Sequence, residues 1–134
     1  MKQETKEWVA KAERDFATMK REFRVAEDAN YDDVCFHAQQ CIEKLLKGYL
    51  QELEIEFPRS HDLRELLNLL LPTHATWTDY IDDCARLSEY AVSFRYPGET
   101  AERSIAERAM NLCVKLRGVI LDRLNPEGKL PFPT

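Results

Sequence analysis

Apolar residues recur along this chain at alternating spacings of three and four. Val9, Ala12, Phe16, Met19, Phe23 and Ala26 make the first such stripe, and it predicts a helix from Glu4 to about Asp28. Asp28-Ala29-Asn30 interrupts it with residues suited to a turn or an N-cap. A second stripe follows through Val34/Cys35, Ala38, Cys41/Ile42, Leu45/Leu46, Tyr49/Leu50 and Leu53, so the second helix is long. Pro58 then breaks the pattern, and Ser60 precedes His61-Asp62-Leu63, where a hydroxyl can cap a third helix running to about Leu71. Pro72-Thr73 ends that helix, and Trp77, Tyr80/Ile81, Cys84, Leu87/Ser88 and Ala91 predict a fourth that finishes near Val92. Arg95-Tyr96-Pro97-Gly98 has to be irregular, because proline disfavours helical geometry in the residue before it and glycine permits a turn. Thr100 is the expected cap of a fifth helix, with its stripe at Ile105/Ala106, Ala109, Leu112/Cys113, Leu116, Val119/Ile120 and Leu124.

These elements predict an all-α fold: an up-and-down antiparallel bundle of about five helices, three long and two shorter. Residues 1–124 make one domain, and 125–134 is expected to be a mobile tail. Composition agrees, since residues 1–56 hold one glycine and no proline, leaving room for long helices and few tight turns.

The formal net charge is −5, which argues against binding nucleic acid by bulk electrostatics and leaves open a local basic site. No apolar run approaches a membrane span, the N-terminus has no signal-peptide pattern, and a cytoplasmic location is expected. Cys35, Cys41, Cys84 and Cys113 lie on helical apolar stripes without metal-type spacing, and read as reduced core residues. There is no glycine-rich phosphate loop, HExxH or GxSxG, so no metal or cofactor is expected.

Candidate chemistry concentrates on the second helix. His37, Gln40, Lys44 and Lys47 follow helical spacing and can form a polar strip beside the apolar one. The strip has a competing, purely structural account, in which Glu43 and Lys47 form an i,i+4 pair and Gln39 and Gln40 clasp another helix. Asp15 stands at the edge of the first helix's apolar face, where it could orient His37, pair with a lysine or Arg95, or simply be a rim-exposed acid. Arg95, beside Tyr96 in the proline loop, is the candidate for anion contact, because a guanidinium offers a planar fork of donors to phosphate or carboxylate. A structural salt bridge is the alternative for it. His61 could be catalytic, although a capping or packing role in the first turn is simpler, and His74 has no recognisable partner.

Several segments together resemble the HEPN family (higher eukaryotes and prokaryotes nucleotide-binding) in its small, stand-alone prokaryotic form. They are Trp8 with Ala12 and Asp15-Phe16, then Tyr31-Asp32 with the block from Cys35 to Gln40 and Glu43 to Lys47, Ser60-His61-Asp62-Leu63, and Arg95-Tyr96-Pro97. The resemblance spans roughly residues 5–122. It implies a helical bundle, homodimerisation, and an association with nucleotide or RNA biology, often beside a nucleotidyltransferase in toxin–antitoxin-like pairs. The ribonuclease branch carries an arginine followed after four to six residues by a histidine, and none of His37, His61 and His74 has an arginine at that distance upstream. The leading expectation is therefore a non-catalytic or weakly catalytic module that binds a nucleotide or a partner protein. Lys44, Lys47 and Arg95 would supply charge, Tyr96 and His37 stacking or hydrogen bonds, and Asp15 and Gln40 polar support. Two alternatives stand beside it: an RNase toxin using His37 or His61 as its acid/base group, and an interaction subunit that takes no ligand.

Overall fold

The computed structural model describes residues 1–126 and 128. The expected mobile tail falls largely on 127 and 129–134, which lie outside the described residues. Five α-helices follow in order, α1 (Gln3–Phe23), α2 (Tyr31–Glu52), α3 (Leu63–Asn68), α4 (Ile81–Ser93) and α5 (Arg103–Leu124), with a 3-10 helix over Ala75–Tyr80. No strand occurs among the described residues, and no helix there is long and apolar enough to cross a membrane.

The end contacts set the directions. The main-chain N–H of Lys2 donates to Glu52 at the far end of α2 (2.9 Å), while Phe23 meets Tyr31 at the opposite end, so α1 and α2 are antiparallel. The N–H of Ala101 donates to Asp32 Oδ1 (2.7 Å), which ties the approach to α5 to the first turn of α2 and makes those two helices parallel, with α4 running between them in the chain. Helix α2 is the axis of the bundle: Val34, Ala38, Ile42, Leu45 and Leu50 are fully buried on it. Burial of each large aliphatic side chain there contributes about 1.5–3 kcal/mol. Gly48 lets α1 cross closely, because a Cβ at that position would stand 3.0 Å from the Cβ of Trp8. The four cysteines are free and buried, and burial pushes the Cys35 and Cys84 thiols up to about 12, so they behave as small hydrophobes rather than nucleophiles.

Several boundaries differ from the sequence pattern. Helix α1 stops at Phe23, short of Asp28, because the chain must turn back: Asp28 adopts φ 54°, and the N–H of Asn30 reaches back to Glu22 Oε1. Asn30 then caps α2 through Asp33 N. Asp62, not Ser60, caps α3, accepting from Arg64 N at 2.9 Å; Ser60 Oγ instead accepts from Asp62 N and donates to Glu65. Helix α3 ends at Asn68, with turns carrying the chain on to Thr73. The stripe that begins at Trp77 starts in the 3-10 helix rather than in α4. Thr100 does not cap α5: Glu102 occupies that position without a side-chain bond, and the Ala101–Asp32 bond anchors the entry instead.

Candidate functional site

A cleft of about 660 Å3 opens where α2, the start of α3 and α4 converge. Phe36, Gln39 and Gln40 form its α2 wall, His61 and Arg64 come from the α3 side, and Ser88, Val92 and Arg95 close it along α4 and the loop beyond. The wall residues of α2 lie three and four apart, so one helical face supplies an aromatic ring and two amides to the same space. The Arg95 guanidinium stacks on the Phe36 ring, with Cζ 4.9 Å from the centroid. Among the described residues neither Arg95 nor Arg64 has a carboxylate within ion-pair distance. Two uncompensated guanidinium groups lining one cleft, Arg95 over an aromatic ring, suit an anion attached to a flat ring.

Outside the lining itself, Glu43 holds two of the residues that form it, Gln39 and His61. Its carboxylate is buried, with Oε1 3.0 Å from His61 Nδ1 and Oε2 accepting from Lys47 Nζ at 3.0 Å. The His61 side chain is itself 81% exposed, so Glu43 holds one ring nitrogen while the rest of the ring faces solvent and the cleft. Gln39 Nε2 donates to the main-chain oxygen of His61 (2.9 Å) and to Glu43 Oε1 (3.2 Å), pinning the start of α3 to α2.

A second cluster repeats this arrangement on the α1 side. Asp15 Oδ1 lies 2.8 Å from His37 Nδ1, and Asp15 Oδ2 accepts from Lys44 Nζ at 2.6 Å. Burial pulls the Asp15 carboxyl upward, and the hydrogen bonds from His37 and Lys44 more than reverse that, leaving it below the usual carboxylate range. A carboxyl whose folded pKa is depressed contributes its stability above the unfolded value, about 4, and loses it as pH falls through the lower folded value. Urea denaturation between pH 5 and pH 2 is therefore expected to show a smaller acid-dependent loss for Asp15→Asn than for the wild type; an identical pH slope would contradict this pairing.

This succession of helices has counterparts among known proteins. The family model described as HEPN domain matches residues 5–124. The chain belongs to the HEPN family. The crystal structure of ST0689, an archaeal HEPN homologue, is similar with a TM-score of 0.69 and 24% identity, covering 93% of this chain and 100% of that one, a likeness that shows the fold. No curated protein matches the sequence.

Within this HEPN bundle the residues singled out from the sequence do not all come together. Arg95, Gln40 and His61 meet in the cleft. His37, Lys44 and Asp15 form the neighbouring cluster, with the His37 ring edge-on to Phe36 at 5.2 Å and thus one ring removed from the cleft wall. Lys47 is enclosed, its side chain only 8% exposed between Glu43 and the face of Trp8, so its geometry is that of a support for Glu43 rather than of a cation offered to a ligand. Tyr96 is 67% exposed and outside the cleft lining. His74, which has no recognisable partner in the sequence, stacks on Trp77 at 4.3 Å, and its Nε2 lies 2.6 Å from the Tyr49 hydroxyl. Sequence reasoning passed over Arg64 and Phe36. Arg64 follows His61 by three residues across the cap of α3, a spacing close enough to be a usable signal; the stacking of Phe36 under Arg95 had none, because a loop 59 positions later supplies the cation.

Proposed function

We propose that this HEPN chain is a nucleotide-binding module, with phosphate at Arg95 and Arg64 and the base against Phe36 and the Gln40 amide. The observation that carries this reading is the Arg95 guanidinium, without an ion-pair partner among the described residues and stacked on an aromatic ring at the cleft mouth. The cleft volume of about 660 Å3 is within the range of small-molecule sites. Family membership supports a wider setting for the same module: a homodimer working beside a nucleotidyltransferase in a toxin–antitoxin-like pair. Binding is favoured over RNA cleavage because no arginine precedes a histidine by four to six residues, the spacing that marks the ribonuclease branch.

Thermal unfolding against a panel of nucleotides and short RNAs tests the proposal. A ligand present at about 100 times its dissociation constant adds roughly 2.7 kcal/mol to the folded state. A ligand-specific rise in Tm that Arg95→Ala abolishes is the expected result. Absence of any shift in well-folded protein would reject the nucleotide site and leave the chain as a protein-docking subunit.

A further inference from the structure

The amides on the α2 wall are not interchangeable donors and acceptors. Gln39 is buried, and its Nε2 faces the main-chain oxygen of His61 at 2.9 Å and Glu43 Oε1 at 3.2 Å. A main-chain carbonyl can only accept, and so can a carboxylate already bonded to Lys47. Turning the Gln39 amide over would set its oxygen against two oxygens, so its nitrogen end is determined by the surroundings. Gln39 Oε1 must then accept, and it does so from Gln40 Nε2 at 3.0 Å. The orientation of Gln40 is inherited from its neighbour. With its nitrogen turned inward, Gln40 is left with Oε1 and one N–H unengaged among the described residues, on a half-buried side chain in the cleft wall.

An unrestrained glutamine discriminates poorly between bases, because a half-turn of its amide exchanges donor for acceptor. Gln40 cannot make that half-turn without losing the bond to Gln39. Resting on the nucleotide-binding reading above, we infer that Gln40 is a specificity residue whose fixed carbonyl selects a nucleobase carrying an exocyclic amine over its oxo counterpart. The amine of adenine or cytosine donates to Gln40 Oε1; the oxygen at the same position of hypoxanthine or uracil would face it as a second acceptor. Gln39 acts through Gln40 as a positioning residue, and Glu43 with the His61 carbonyl holds Gln39.

The test is isothermal titration of the full chain with AMP against IMP, and CMP against UMP, in wild type, Gln39→Met, Gln40→Leu and Arg95→Ala. Wild type is expected to prefer the amino member of a pair by about fivefold to tenfold, the scale of one hydrogen bond. Preference within the purine pair assigns adenine, and within the pyrimidine pair cytosine. Gln39→Met should bring the ratio close to one by freeing the Gln40 amide to turn, and Gln40→Leu should do the same while leaving the bonds of Gln39 Nε2 to Glu43 and the His61 carbonyl in place. Arg95→Ala should weaken both members of a pair alike. Equal affinity of wild type for amino and oxo members, with both weakened by Arg95→Ala, would overturn the selectivity and leave nucleotide binding standing. A wild type that binds none of the four would overturn both. A ratio unchanged in Gln40→Leu would show that another group reads the base.

Discussion

Arg117→Ala should lower the stability of the folded chain by about 3–5 kcal/mol, read as a fall in the urea midpoint. Arg117 Nε and Nη2 donate to the two oxygens of Glu13 at 2.8 and 2.7 Å, and the guanidinium lies 4.1 Å from the centroid of the Phe16 ring. The pair joins α1 to α5, with side-chain exposures of 12% and 5%. Removing the arginine strands a carboxylate away from water, and that desolvation outweighs the lost attraction. Glu13→Leu combined with Arg117→Met should recover most of the loss, since neither charge then remains unpaired. A single variant as stable as wild type would show that solvent reaches Glu13 at little cost.

Glu43→Leu is expected to have the second largest effect, about 3 kcal/mol, for a related but distinct reason. Glu43 compensates the enclosed Lys47 ammonium, holds His61 Nδ1 and accepts from Gln39. Its loss leaves a cation facing the ring of Trp8 at 5.7 Å among the described residues, which replaces part of what the carboxylate supplies. Glu43→Leu with Lys47→Met should restore stability, yet it should not restore the cleft, because His61 remains without its carboxylate. Stability regained without regained nucleotide affinity is the expected signature, and recovery of both would remove Glu43 from the site's support.

These two buried pairs also mark where reading the sequence stops. The helices were legible because a single apolar stripe has a fixed period, and α2 shows it without interruption from Val34 to Leu53. The same rule overran α1, since Ala26 continues the stripe although Asp28 and Asn30 had already signalled a turn. Glu43 with Lys47 was visible, being four apart on one helix. Glu13 with Arg117 was not: 104 positions separate them, and a charged residue beside an apolar stripe looks the same whether it meets water or a partner. Asp15 stood between these cases. Its place at the stripe's edge raised the question of a partner, and His37 and a lysine were among the options, but only the crossing of α1 over α2 decides between them and a solvated rim. The cleft was legible in pieces, as Arg95, His61 and Gln40, and their meeting depends on how α4 delivers the loop after it.

That loop is held at both ends. Behind Arg95, its own N–H bonds to the carbonyl of Val92, and ahead of it the N–H of Ala101 is bound by Asp32 in the first turn of α2. Gly98, at φ 91°, absorbs the reversal that lets so short a span close. Conformational freedom that the loop would otherwise surrender on binding the proposed anion is thus given up during folding, through a contact that lies outside the cleft lining. On the nucleotide-binding reading proposed above, affinity at Arg95 would be coupled to the integrity of the α2 N-terminus, one turn of helix setting the grip of a residue more than 60 positions away in the chain.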